Sequence, residues 1–353
     1  MVKSYQEQYA EILNRLVKNP IKKRPSRVGN TNSNFVEIIR VDLRKEFPLM
    51  EIKNIKFSNI LHELLWFIHG DTSIKYLIDN ECYIWNDDAF RYYREKYSRL
   101  SNPVNDKKIF IDKVKNNEFF YYSNGYLSEK YKFGDLDNIY GKQWRQFNGK
   151  TDQLQNCINT LLKNPDDRRM IVTAHNPTDI EDNIVGLPSC HNMFQFYTIP
   201  LSLKERVDYY FDVLKGEFFL TNDDNELIAY LDKSNVPKYY LNLWFNIRSN
   251  DFFLGQPYNM ASYALLNHII SNVVNMIPNE IVCTAIDCHL YEAHIPAALE
   301  WLDRYDKIIN CDSWCKSKIK INKDLTSIDD ITAEDILLID YNPQSHILAP
   351  LLT

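Results

Sequence analysis

A cysteine attacks only as its thiolate, and at an ordinary pKa of about 8.5 a small fraction is ionised near neutrality, so a reactive cysteine needs positive charge close by. The chain has seven cysteines, at positions 82, 157, 190, 283, 288, 311 and 315. Cys190 stands out because it follows the turn-forming Leu187-Pro188-Ser189 and leads into a run of strand-forming residues, an exposed place where a thiol can meet a substrate. Guanidinium groups recur in three places: Arg168-Arg169 ahead of one strand-like run, Arg248-Ser249 after another, and Arg27 beside Gly29. Their fork geometry suits phosphate, although each group taken singly reads equally well as a surface ion pair. Asn259, at the entry to a helix, can offer one acceptor and one donor to a planar ring or serve as an ordinary cap. Glu63 sits inside an apolar helical run, where it is either a buried ion-pair partner or an acid with a raised pKa.

The cysteine count is odd and shows no Cys-x-x-Cys pair, so the thiols are read as reduced. Cys311 with Cys315, and His289 with His294, lack the companions of a four-ligand zinc site, and no metal is expected. With 45% hydrophobic and 25% charged residues the 353-residue chain reads as a globular protein with a sizeable core. A net charge of −6 without a basic tract excludes a nucleic-acid polymer as partner. No apolar stretch reaches the roughly 18 residues of a membrane span, and residues 1–19 are charged throughout, so the expected place is the cytoplasm.

The elements that must position these groups follow from periodicity. Ser4 caps an amphipathic helix over 4–17, the basic turn 22–30 feeds a strand over 35–43, and the helix 60–69 stops at Gly70, with Asp71-Thr72 able to start the next. Residues 87–137 are polar and aromatic, which predicts an inserted helical subdomain. A helix over 153–162 and a strand over 170–174 come next. Aromatic and branched residues over 194–198, 207–214, 217–221 and 239–247 predict consecutive strands, with 199–238 an extended hairpin region. Helix 260–274, strand 281–286, helix 295–305 and strands near 316–321 and 336–341 complete an α+β pattern, a single domain over 1–353.

Taken together the segments resemble, in order, the signature segments of thymidylate synthases: Arg168-Arg169-Met170-Ile171-Val172, Leu187-Pro188-Ser189-Cys190-His191, the run from Arg248-Ser249-Asn250-Asp251 through Gly255-Gln256-Pro257-Tyr258-Asn259 to Leu266, and Asp287-Cys288-His289-Leu290-Tyr291-Glu292-Ala293-His294. His62-Glu63-Leu64-Leu65-Trp66-Phe67, Ile84-Trp85, Tyr140-Gly141-Lys142-Gln143-Trp144-Arg145 and Tyr341-Asn342-Pro343 extend the likeness over nearly the whole chain. The resemblance implies a large mixed sheet flanked by helices, with the sheet packing at a homodimer interface. It implies that Cys190 attacks carbon 6 of deoxyuridylate (dUMP), so that carbon 5 captures the methylene of 5,10-methylenetetrahydrofolate. Arg27, Arg248 and Ser249 would hold the phosphate with Arg168 and Arg169 from the partner subunit. Asn259 would read the uracil edge, His191 would help bind the nucleotide, and His289 and Tyr291 would bind the sugar 3′-hydroxyl. Glu63 and Tyr140 would manage protons, while Asp251, Trp85, Leu187, Gly255 and Tyr258 would face the folate.

Four positions depart from the family pattern: Ile247 where a glutamine precedes Arg248, Asp88 where a second tryptophan faces the folate, Ser189 where proline is usual, and the ending Leu351-Leu352-Thr353. An apolar residue before Arg248-Ser249-Asn250-Asp251 is similar to phage deoxycytidylate hydroxymethylases. With a wetter site, these departures lead to the expectation of 5-hydroxymethyl-dUMP as product and of a viral source. The alternative is a thymidylate synthase making dTMP and dihydrofolate. The non-enzyme alternative is a nucleotide-binding regulatory module, and a cysteine hydrolase finds no oxyanion loop.

Overall fold

Local chemistry starts the first helix. The Ser4 hydroxyl accepts from Glu7 N, and the Glu7 carboxylate accepts from Ser4 N at 2.6 Å, so two amides left over by the helix end are satisfied reciprocally. The helix α1 (Tyr5–Lys18) then buries Tyr5, Tyr9, Ile12, Leu13 and Leu16 along one stripe. The computed structural model describes residues 3–26, 29–123, 128–217, 221, 223–308, 316–322 and 324–352, and only the backbone of Arg24. Arg27, Cys311, Cys315 and Thr353 therefore lie outside the described residues.

After α1 come β1 (Lys22–Ser26), β2 (Gly29–Asp42), α2 (Phe57–Ile68) and α3 (Lys75–Asp79). The segment 87–137 holds α4 (Asn86–Lys96), α5 (Lys107–Lys115) and the hairpin β3 (Phe119–Ser123) and β4 (Ser128–Lys132). It is thus part helix and part hairpin, closed by Tyr93, Tyr97, Phe110, Phe120 and Phe133 packed ring against ring. The next elements are α6 (Tyr140–Gln146), α7 (Gln153–Lys163), β5 (Ile171–Thr173), α8 (Pro177–Glu181) and β6 (His191–Pro200). Then follow α9 (Leu203–Asp212), α10 (Asp224–Lys233), β7 (Tyr239–Ile247), β8 (Asn250–Asp251), α11 (Gly255–Val273), β9 (Ile277–Tyr291), α12 (Ile295–Ile308), β10 (Lys318–Ile321) and β11 (Ile336–Ile339).

The main sheet runs β1-β2-β9-β7-β6-β5, with β8 also on β9. β7 and β9 are parallel because α11 carries the chain across one face between them, and the other pairs along the path are antiparallel, so the sheet is mixed and the class is α+β. Leu243, Phe245 and Ile247 of β7 and Ile281, Cys283 and Ala285 of β9 face inward beneath α11. That helix is apolar nearly all round, as a helix buried between layers must be. The opposite face is open: Ile38, Trp244, Val282, Tyr197 and Ile171 alternate outward along neighbouring strands, with Ile38 57%, Tyr197 64% and Ile171 40% exposed.

Two expectations fail. The strand expected over 207–214, and with it a hairpin region over 199–238, gives way to α9 and α10; the strand expected over 217–221 falls on 218–220, which lie outside the described residues. Aromatic and branched side chains suggested strands, but the Ser202 and Glu205 capping box starts a helix, and Tyr210 packs on Leu231 and Val236 in a small core of its own. The helix expected to start at Asp71-Thr72 begins instead at Lys75, because Asp71 turns its carboxylate onto Ser73 N.

Candidate active site

Two helices bring the carboxyl and the phenol together. Gly141 makes this possible: a Cβ there would lie 2.9 Å from Phe67 O and 3.0 Å from Phe67 Cα, so only glycine lets α6 approach α2. Glu63, on α2, accepts from Trp85 Nε1 at 2.7 Å, and Trp85 packs edge-on against Trp66 and Tyr140. Burial pushes the Glu63 carboxyl up to about 7 despite the indole donor. Tyr140, first residue of α6, is buried, which holds its phenol protonated well above the ordinary range.

Cys190 is clasped from both sides. Cys190 N donates to Tyr140 Oη at 2.8 Å. Arg248 donates through Nε to Ser189 O at 2.8 Å and through Nη2 to Pro188 O at 3.0 Å, which brings Nη2 to 3.9 Å from Cys190 Sγ. Arg248 N also donates to Cys190 O at 2.9 Å, tying the end of β7 to the start of β6. The sequence argument asks for a thiol activated by cations, yet here burial outweighs Arg248, with Asp88 adding to it, and the Cys190 thiol lies above its ordinary value. Asp88 is held by Arg91 at 2.5 Å on the first turns of α4.

The His191 ring is buried, stacked 4.0 Å from Tyr140 with Nδ1 2.9 Å from Tyr263 Oη. Burial drives it down to about 3, so it is neutral and supports Tyr140 instead of acting as a base for Cys190.

The second half of the site comes from the end of the sheet. Asp287 adopts a left-handed backbone (φ 45°), accepts from Ser33 Oγ at 2.6 Å, and through its carbonyl meets His289 Nδ1 at 2.8 Å. This irregularity lies where β9 passes from pairing with β7 to pairing with β8, and His289 packs against Tyr291, ring centroids 5.1 Å apart. Asn259, Tyr258 and Gly255 lie on the first turns of α11, each half-buried, and Leu187 and Ser249 are half-buried beside the Cys190 turn. Asp251 accepts from Phe253 N and Leu254 N, both at 3.1 Å.

Arg168 and Arg169 are not brought to Cys190 within the chain. They are exposed at the start of β5, where Ile171 pairs with Gln195 and Arg168 O accepts from Gln195 Nε2. Gln195 is roughly 17 Å along the strand from Cys190 at about 3.3 Å per residue.

Two residues near Asp251 have no site role in the sequence reading, where His294 stands only beside His289 as a candidate metal ligand. Lys53 is buried with Nζ on Phe253 O at 2.6 Å, and burial lowers it to about 7 against the pull of Asp251. His294 is fully buried, with Nδ1 4.0 Å from Asp251 Oδ1 and Nε2 2.8 Å from Pro350 O, so it links that carboxylate to the C-terminal segment. A lone lysine and a lone histidine carry no sequence signal for such contacts. Among the described residues no group of His, Cys, Asp or Glu could hold a metal ion.

A thiol under a guanidinium and a buried carboxyl held up at about 7 give the site a nucleophile candidate and a proton carrier, the equipment of an enzyme that works through a cysteine adduct. The Thymidylate synthase family matches residues 7–353, and the chain belongs to that family. Among similar proteins, the thymidylate synthase of Mesoplasma florum is 35% identical over 342 residues, covering 97% of this chain and 98% of that protein. That of Mycoplasma mobile is 34% identical over 340 residues, 96% of each. That of Listeria innocua is 32% identical over 358 residues, covering 98% and 99%. The chain is therefore a folate-dependent one-carbon transferase, and the family's co-substrate is 5,10-methylenetetrahydrofolate. These relatives are bacterial thymidylate synthases, and they favour dTMP formation over the hydroxymethyl product expected from the four departures.

Proposed function

We propose that this chain is a thymidylate synthase, converting dUMP to dTMP through a Cys190 adduct. The observation that carries the reading is the clasp on Cys190, its amide on Tyr140 and its sulfur against Arg248. The folate supplies a methylene carbon and a hydride. The Cys190 sulfur, its proton passed to solvent, bonds to carbon 6 of uracil as the double bond between carbons 5 and 6 opens, and negative charge collects on carbon 5 and the carbon 4 oxygen. Once carbon 5 is substituted it gives up its own proton, and the bond between sulfur and carbon 6 breaks to free the product. Arg248 and Ser249 take the phosphate together with Arg27. Glu63, neutral about half the time near pH 7, gives and takes protons at the ring, with Trp85 fixing its orientation. Asp251, Leu187, Tyr258, Gly255 and Trp85 face the folate, while His289 and Tyr291 hold the sugar. His191 contributes by bracing Tyr140.

A homodimer completes the site. Arg168 and Arg169 sit too far from Cys190 to serve their own chain, and the open apolar sheet face beside them is the surface a second copy would cover. Sedimentation should show twice the 41.8 kDa chain mass, and a monomer would end this part of the proposal. The whole chain acts as one catalytic domain in the cytoplasm; among the described residues no helix is long and apolar enough to cross a membrane.

Hydroxymethylation is the second reading, favoured by Asp88, whose carboxylate stands near Cys190 where a tryptophan would exclude water. Products decide between them. With dUMP and methylenetetrahydrofolate, mass spectrometry should find dTMP with dihydrofolate absorbance rising in step. Hydroxymethyl-dUMP without dihydrofolate would reverse the choice, and neither product despite dUMP binding would leave a nucleotide-binding module.

The amide of Asn259 can accept the uracil imide hydrogen and donate to the carbon 4 oxygen, whereas a carboxylate suits a cytosine amino group. Asn259→Asp is expected to move the kcat/KM ratio towards dCMP by about 100-fold or more, because a mismatched buried polar edge is costly. Unchanged base selectivity would remove Asn259 from the reading.

A further inference from the structure

Asp179 lies outside the reacting groups, on the short α8, yet it is 8% exposed and its Oδ2 accepts from three neutral amides: Asn138 Nδ2 at 3.1 Å, Gln143 Nε2 at 2.7 Å and Asn176 Nδ2 at 2.9 Å. Burying a carboxylate is costly unless donors replace its water, so three converging amides mark a place where the chain requires an acceptor. What converges there decides what the acceptor does.

Asn138 and Gln143 flank Tyr140, and Gln143 Nε2 also donates to Asn138 O at 2.8 Å, so the turn entering α6 is fixed from both ends. Asn176 joins the loop after β5, and Ser189 Oγ reaches that same loop at Ala174 O, 3.1 Å away. Asp179 O accepts from Ile184 N at 3.0 Å, and Asn138 N donates to Ile184 O at 3.1 Å. Gly186 N then donates to Leu136 O at 2.9 Å, where a Cβ on Gly186 would lie 2.6 Å from Leu136 Cδ2. The segment 183–190 that delivers the sulfur and the turn that delivers Tyr140 are thus sewn together at Asp179, one step from the Cys190 N to Tyr140 Oη bond.

We propose that Asp179 is a positioning residue for the nucleophile: through its three amide donors it sets the Tyr140 and Cys190 turns relative to each other and so keeps Sγ beside Arg248. It touches no reacting atom. The inference rests on Cys190 being the nucleophile, and its test reads the thiol without requiring turnover.

The experiment compares wild type, Asp179→Ala and Asp179→Asn by the rate of Cys190 carboxamidomethylation with iodoacetamide against pH, followed by peptide mass spectrometry, beside kcat and KM for dUMP. Removing a negative charge alone would make the thiol more acidic. Loss of positioning works oppositely, because Sγ leaves Arg248. In Asp179→Ala the alkylation midpoint should therefore rise by about half a pH unit or more, roughly a threefold loss of thiolate below it. kcat should fall about 100-fold with KM within about threefold, the pattern of misplaced reacting groups. In Asp179→Asn the side-chain oxygen can still take the three amides, and both measurements should return to within about fivefold of wild type. A midpoint that stays or falls in folded Asp179→Ala overturns the proposal, as does Asp179→Asn being as impaired as Asp179→Ala. Should Asp179→Ala not fold, Asn138→Ala, which removes one donor and keeps the carboxylate, must show the same upward shift, and an unchanged midpoint there overturns the proposal too. Shifted alkylation in an enzyme that makes no dTMP would instead sink the thymidylate reading and leave this one standing.

Discussion

Replacing Cys190 by Ser is expected to lower tritium release from carbon 5 of dUMP by about four orders of magnitude or more, with nucleotide affinity within roughly threefold of wild type. The reason is the balance at this position. Burial already holds the thiol above its ordinary value, with Arg248 at 3.9 Å pulling the other way, so the sulfur is usable only because a thiolate is intrinsically reachable and polarisable. A serine hydroxyl in the same clasp starts far higher, and no base stands beside it: His191 is neutral and engaged with Tyr263. Binding, in the proposed reading, draws instead on Arg248, Ser249, Asn259, His289 and Tyr291, none of which changes. Tritium release in Cys190→Ser within tenfold of wild type would show that another residue opens the ring, and a loss of binding equal to the loss of rate would show a collapsed site.

Residues at fixed spacing along one element were legible before the structure. Asn259 four residues after Gly255 must share a helix face with it, and Glu63 in an apolar helix must leave water, which made a raised value one of the two readings the sequence offered. The indole donor, with no cation beside it among the described residues, decides for that one. Contacts made across the fold were not. Lys53 reaches Phe253 O over 200 residues, His294 reaches Pro350 over 56, and Asp179 gathers amides from 138, 143 and 176; no local pattern encodes such meetings. The stacking of His191 on Tyr140 and its contact with Tyr263, 72 residues away, had no local signal either. At 203–233, side-chain bulk was weighed over the capping box at Ser202, which is the stronger signal because it satisfies backbone amides the helix start would otherwise leave bare. The departures at Asp88 and Ile247 were legible as differences, but their weight was not. Ile247 lies wholly buried in β7 under α11, so it serves the core, and a polar residue is not missing from a wet surface there.

Glu63→Gln should separate function from stability. The glutamine can still accept from Trp85 Nε1, so the indole keeps its place, while the exchangeable proton is lost; kcat is expected to fall by about 100-fold or more, the range for a positioned acid and base. Burial raises the folded carboxyl to about 7, well above the ordinary value near 4.3 of the unfolded chain, so the acid form favours folding. Its contribution is fully present below about pH 4 and is lost as pH rises through about 7, because the unfolded chain releases its proton first. A neutral amide escapes that loss. At pH 8 Glu63→Gln should therefore unfold with up to about 3 kcal/mol more stability than wild type, and the difference should shrink steadily on acidification to pH 4. Denaturant unfolding at four or five pH values, run beside tritium release, checks both halves at once. A variant that keeps its activity has the wrong residue in the proton-transfer role, and one whose stability difference does not change with pH has a carboxyl that ionises as freely in the folded chain as in the unfolded one. The enzyme thus holds a carboxyl in surroundings that weaken the fold above neutrality, and the same surroundings leave it poised to exchange a proton with a pyrimidine ring at the pH where the chain works.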